Sequence, residues 1–67
     1  MKEISNVNIQ NKQAIAKFSD GSLLIMASNV SKIIGYTSNT ITLIQNNNQK
    51  VVYTLNDNGS FTPKIIG

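Results

Sequence analysis

The stretch from Asn39 to Ile66 most constrains what this chain can fold into, because it holds two consecutive hairpins whose turn residues and apolar alternation agree. Thr40-Ile41-Thr42-Leu43-Ile44 and Val51-Val52-Tyr53-Thr54-Leu55 are rich in β-branched and aromatic side chains, which suit a pleated, half-buried surface. A three-residue loop of Asn46, Asn47 and Asn48 sets Leu43 opposite Val51 and Ile41 opposite Tyr53, and Asn tolerates the left-handed backbone that such a loop requires. A two-residue turn at Asn47-Asn48 would send Val51, Tyr53 and Leu55 to the opposite side from Ile41 and Leu43. The next turn favours the first register. Asn56-Asp57-Asn58-Gly59 suits a type I turn followed by a Gly bulge, setting Leu55 against Phe61 and Val51 against Ile65. One face then collects Ile41, Leu43, Val51, Tyr53, Leu55, Phe61 and Ile65. The other holds Thr40, Thr42, Lys50, Thr54, Thr62 and Lys64, with Ile44 and Val52 as exceptions. Pro63 has no N–H to donate, so the last strand is expected at an edge.

Upstream the same grammar continues. A turn centred on Asn11-Lys12 brings Ile9 opposite Ala14 and Val7 opposite Ala16. Ala14-Ile15-Ala16-Lys17-Phe18 and Leu23-Leu24-Ile25-Met26-Ala27 flank Asp20-Gly21, a dipeptide that supplies the positive φ angles of a two-residue hairpin turn. That turn predicts Phe18 opposite Leu23 and Ala16 opposite Ile25, so that Val7, Ile9, Ala14, Ala16, Phe18, Leu23 and Ile25 share a face. The reverse side then carries Ile15, Leu24 and Met26, interrupted mainly by Lys17. A strand pair apolar on both faces is either central to a closed structure or covered by a partner.

Ser28 to Gly35 supports two readings. Val30, Ile33 and Ile34 have helical spacing, with Ser28 as a cap and Gly35 as a stop. Alternatively, a short turn at 28–31 leads into a strand at 32–37 that hairpins through Ser38-Asn39, placing Ile34 against Leu43 and Tyr36 against Ile41. The second is preferred because it extends the apolar face already assembled. The expected fold is all-β: one domain spanning residues 1–67, an antiparallel meander of six or seven short strands. Closing it as a small SH3-like or Sm-like barrel would remove the edges that a flat sheet exposes.

A chain of 67 residues buries only about 60% of the surface that its unfolded form exposes, so its stability is marginal without help. It has no Cys and no His, hence no disulfide and no thiolate or imidazole metal site. The longest apolar run, Leu23 to Ala27, is far below the roughly 20 residues of a membrane span, and Met1-Lys2-Glu3-Ile4-Ser5 lacks the apolar core of a signal peptide. A cytoplasmic location is the expectation. Asn and Ile each occur ten times and all six basic residues are Lys, a bias that A- and T-rich codons explain, so the Asn residues carry weight only in turns.

Little chemistry is on offer. The acidic residues are Glu3, Asp20 and Asp57, and the last two stand where turns want Asp for backbone reasons. Without His or Cys, and with no carboxylate pair evident, the inventory for acid-base or nucleophilic catalysis is too small for an enzyme. Asn56-Asp57-Asn58-Gly59 fails as a calcium loop, since its first ligand position would be Thr54 and its twelfth Ile65. Gly21, Gly35 and Gly59 are isolated and cradle no phosphate. These exclusions predict a non-enzymatic interaction or regulatory module with no cofactor and no metal, whose partner is another protein or a second copy docked on Ile15, Leu24 and Met26. The alternative is weak nucleic-acid binding through Lys17, Lys50 and Lys64, suggested by the net charge of +3 and the shared outward face of Lys50 and Lys64. Against it stand the absence of Arg and the inward placement expected of Tyr36 and Tyr53.

Overall fold

The computed structural model of the protein describes residues 2–67. Seven strands follow one another: β1 (Ile4–Gln10), β2 (Gln13–Phe18), β3 (Leu23–Ala27), β4 (Val30–Tyr36), β5 (Thr40–Gln45), β6 (Lys50–Leu55) and β7 (Phe61–Ile65). All pairings are antiparallel and between sequence neighbours, in two sheets ordered β1-β2-β3 and β4-β5-β6-β7, and neither sheet closes on itself. Backbone bonds tie the two together near β1 and β4, from Ile4 N–H to the Ser38 carbonyl at 2.7 Å and from Val30 N–H to the Lys12 carbonyl at 2.9 Å. Among the described residues no helix is long and apolar enough to cross a membrane.

Three of the hairpin loops share one design. Phe18, Gln45 and Asn56 each donate an N–H to the carbonyl four residues on, and each accepts from the residue three on, leaving loops at Ser19-Asp20-Gly21, Asn46-Asn47-Asn48 and Asp57-Asn58-Gly59. The third loop residue always takes the left-handed conformation, at φ of 88° for Gly21, 67° for Asn48 and 88° for Gly59. The middle residue always lends a side-chain oxygen to the residue two on, Asp20 to Ser22 N–H, Asn47 to Gln49 N–H and Asn58 to Ser60 N–H. Such loops combine a type I turn with a left-handed bulge residue, and the local side-chain bond is the one Asx residues favour in turns. The Asn11-Lys12 turn differs, with positive φ at both residues, 53° and 61°.

The last two hairpins have the expected registers: Leu43 faces Val51, Ile41 faces Tyr53, Leu55 faces Phe61 and Val51 faces Ile65. So does the first, with Val7 opposite Ala16 and Ile9 opposite Ala14. The β2-β3 hairpin departs from expectation by one residue. Gly21 alone of the Asp20-Gly21 pair has positive φ, whereas a type I′ turn needs it at both central positions. The loop is therefore one residue longer, Lys17 faces Leu23, Ala16 faces Leu24 and Ile15 faces Ile25. A one-residue shift exchanges the faces of a strand, so Leu23 and Ile25 join Ile15 on the outer side while Leu24 turns inward.

In β4 the strand starts at Val30, two residues before the expected start at Lys32, and the helical alternative for 28–35 is displaced. Extra residues at Ser31 and Ile34 interrupt its ladder, so Ile33, not Ile34, faces Leu43, while Tyr36 faces Ile41 as expected. Two bulges stretch a two-residue period to three, which is why Val30 and Ile33 mimic a helix in sequence. The same device at Ser5 puts Ile4 and Val7 on one side of β1.

The inward faces of both sheets meet in one core of Ile4, Val7, Ala14, Ala16, Phe18, Val30, Ile41, Leu43 and Val51. Ala14 and Ala16 are fully buried, and their small side chains leave room for the larger ones of the opposing sheet. Phe18 stacks on Phe61 with ring centroids 6.3 Å apart, and Tyr53 meets Phe61 edge-on at 6.5 Å. With Leu43 wholly buried, Leu43→Ala is expected to destabilise the fold by about 2–5 kcal/mol in urea unfolding. Lys12 holds a positive φ without being Gly, a conformation that costs an L-residue roughly 1–2 kcal/mol. Lys12→Gly should therefore raise the urea midpoint, with a gain of about 1 kcal/mol after the greater flexibility of Gly in the unfolded chain is subtracted.

Candidate interaction surface

The outer side of β1-β2-β3 is built from two cross-strand rows: Asn6, Lys17 and Leu23, then Asn8, Ile15 and Ile25. β1 supplies amides, β2 one Lys and one Ile, and β3 only aliphatic side chains. Leu23 is 66% exposed and Ile25 57%, while Ile15 between them is half-buried. A shallow depression of about 130 Å³ runs between Asn6, Asn8, Gln10, Ile15, Lys17 and Leu23. Asn6 is fixed there, its side-chain oxygen accepting from Val7 N–H at 2.9 Å and from the Tyr36 hydroxyl at 3.2 Å.

Of the three residues expected to share this side, only Ile15 does so. Leu24 lies opposite Ala16 on the inner side, 39% exposed because β3 is an edge strand. Met26 is the extra residue of a bulge and packs partly buried against the core. Leu23 and Ile25, expected inside, stand outside. The signal for this lies in Ser22, which follows Asp20 at the spacing of Ser60 after Asn58 and marks the same three-residue loop.

The lysines divide between the two sheets. Lys17 belongs to the surface just described, whereas Lys50 and Lys64 share the outer face of β4-β5-β6-β7, as expected. They are joined there by Lys32, whose row runs through Ile44 to Lys50. Sequence alternation misses Lys32, because without the bulge at Ile34 its parity points inward. Tyr36, expected inside, is 43% exposed.

A wider cleft of about 540 Å³ is lined by Ser28, Asn29, Gln45, Asn46, Asn47 and Tyr53. Gln45 Nε2 donates to the Tyr53 hydroxyl at 3.4 Å, and no formal charge lies on the lining. No group of three or more His, Cys, Asp or Glu able to hold a metal ion occurs among the described residues. Against family models, curated proteins and solved structures alike, the chain has no match.

Asp20 sits at the rim of the β2-β3 loop. The Ser22 hydroxyl at 2.6 Å and the Ser22 N–H at 2.9 Å donate to its carboxylate and hold its pKa below the usual value, with Lys2 at 3.8 Å a lesser influence. A carboxylate whose pKa is lower folded than unfolded stabilises the fold at neutral pH, and that contribution disappears as pH falls through the lowered value. Ser22→Ala removes the largest of these donors. In an NMR titration the Asp20 carboxyl of the variant should titrate at higher pH than that of the wild type.

Proposed function

We propose that this chain is a non-enzymatic, cytoplasmic interaction module that acts by protein contact or self-association through the outer side of β1-β2-β3. One observation carries the reading: Leu23 and Ile25, both more than half exposed, stand beside Ile15 on a sheet whose edge strand has no second neighbour. Exposed aliphatic side chains on an unpaired edge are a hazard for a small domain unless something covers them. The polar rim that interfaces need is supplied by Asn6, Asn8 and Lys17. Two sheets sharing one core and tied by backbone bonds near β1 and β4 support regarding the architecture as an open variant of a small SH3-like barrel, a scaffold whose surface is free for binding.

Substitution at exposed positions leaves a fold nearly undisturbed. A Leu23→Lys, Ile25→Lys double variant should therefore keep the wild-type far-ultraviolet spectrum and lose association, measured by sedimentation over a concentration series and by co-purification from the native host. Equal behaviour of variant and wild type in both would overturn the reading.

A second reading has its own observation. The outer face of β4-β5-β6-β7 carries Lys32, Lys50 and Lys64 among Thr40, Thr42, Thr54 and Thr62, with no carboxylate on the strands. That arrangement suits a phosphate backbone read without sequence preference, since Lys offers point charges and no bidentate fork. Binding of mixed duplexes or single strands should then fall steeply between about 50 and 200 mM salt. Replacing Lys32, Lys50 and Lys64 together by Ala should abolish it, while Lys17→Ala leaves it intact.

A further inference from the structure

We propose that two copies of this chain pair edge to edge through β3, antiparallel and about a two-fold axis at Leu24, to make a continuous six-stranded sheet. The proposal rests on the interaction reading above and specifies its partner and geometry. Phe18 N–H donates to the Ser22 carbonyl, and antiparallel ladders alternate bonded and non-bonded pairs. The bonds of β3 to β2 therefore fall at Ser22 and Leu24, and the N–H and C=O groups of Leu23 and Ile25 point to the free side. The loop at Ser19-Asp20-Gly21 ends this free ladder on one side and the bulge at Met26 ends it on the other. What remains is symmetric about Leu24. A second β3 laid antiparallel sets Leu23 of each copy against Ile25 of the other, four backbone hydrogen bonds in all, with the two Leu24 side chains meeting at the centre.

The side chains agree with this symmetry. Across the axis, Lys17 and Leu23 of one copy continue into Ile25 and Ile15 of the other, so apolar meets apolar and the two Lys17 ammoniums fall in different rows. β3 contains no charged residue, and the lysines of the other sheet lie on a different face. The other edges are guarded. On β7, the outward-facing position opposite Tyr53 is Pro63, which has no N–H to offer, and Lys64 follows it. β1 and β4 carry bulges and lie against one another through the Ile4 to Ser38 bond. Charge, Pro and irregularity are the usual means of blunting an edge, and the regular stretch Leu23–Ile25 has none of them. Three residues a side fall short of the roughly 1,000 Å² of a stable interface, so the dimer is weak and concentration-dependent, and the apolar side chains flanking the axis supply its main adhesion.

The chain has no native Cys, so single cysteines report the geometry. Directly opposed residues in a non-bonded antiparallel pair lie about 4.5 Å apart at Cα, within disulfide reach. On mild oxidation at high concentration Leu24→Cys should give a disulfide dimer, whereas Leu23→Cys and Ile25→Cys, each facing the other position across the axis, should give little. Leu23→Pro removes an outward N–H, together with the Leu23 side chain, at an edge position where Pro is tolerated, so it should fold and sediment as a monomer at concentrations where the wild type is dimeric. Amide exchange at Leu23 and Ile25 should slow as wild-type concentration rises. If the Leu23→Lys, Ile25→Lys variant loses association while Leu23→Pro keeps it, or if crosslinking favours position 23 or 25 over 24, the interaction reading stands and edge pairing is overturned. A wild type that stays monomeric with concentration-independent exchange at both amides overturns edge pairing outright, and if it also captures no partner that the double variant fails to capture, the interaction reading falls with it.

Discussion

The left-handed residue that ends three of the hairpin loops fixes the register of the strands on either side, and the core depends on those registers. Gly21, Asn48 and Gly59 each set how many residues separate two strands, and in a sheet that number decides which side chains face the core. At Asn48 and Gly59 the outcome buries Leu43 and Val51 and brings Phe61 to Phe18. At Gly21 it brings Leu24 to the inner side and leaves Leu23 and Ile25 in solvent. The local hydrogen bonds from Asp20, Asn47 and Asn58 brace the loops from within, and at Asn48 and Gly59 the register they accompany is the one that buries the apolar face.

Bulges do the remaining work of bending. Short sheets cannot enclose a core if their strands run flat, and extra residues at Ser5, Met26, Ser31 and Ile34 break the ladders of β1, β3 and β4. Each increases local twist. Each also permits a residue to switch sides, so Ile4 and Val7 are both buried although three residues apart, and Val30 and Ile33 both point inward. With Ala14 and Ala16 on the facing strand taking little space, the two sheets approach closely enough for their edges to be joined by backbone bonds at Ile4 and Val30.

The all-β antiparallel class, a count of six or seven strands and the registers of three hairpins were legible from turn chemistry and alternation alone, whereas closure into a barrel is not what the two open sheets show. Two features were not legible. Asp20-Gly21 fits a two-residue I′ turn and a three-residue loop equally well as a dipeptide; comparison with Asp57-Asn58-Gly59-Ser60 resolves it, because Ser22 and Ser60 each stand two residues after an Asx acceptor and donate to it. The strand beginning at Val30 was hidden because bulges erase a period of two, and no residue type marks Ser31 or Ile34 as supernumerary. The candidate surface inherits the first ambiguity. Ile15 lies where alternation puts it, Leu24 and Met26 lie on the other side, and Lys32 is masked by the second.

Placing the two lysine groups on separate sheets changes how charge acts on the molecule. Lys32, Lys50 and Lys64 gather much of the positive charge on the four-stranded sheet, and only Lys17 accompanies the aliphatic side chains of β3. Repulsion between like charges decays within a Debye length of about 8–10 Å at physiological salt. The lysines of the four-stranded sheet and the aliphatic side chains of β3 stand on different sheets, with Lys17 the one charge in the rows that β3 joins. Had the Asp20 loop been one residue shorter, Leu23 and Ile25 would share the face of Phe18 and Ala16, and Leu24 would stand beside Ile15 and Lys17. Which aliphatic side chains stand on the outer side of the exposed edge thus follows from the length of the Ser19-Asp20-Gly21 loop.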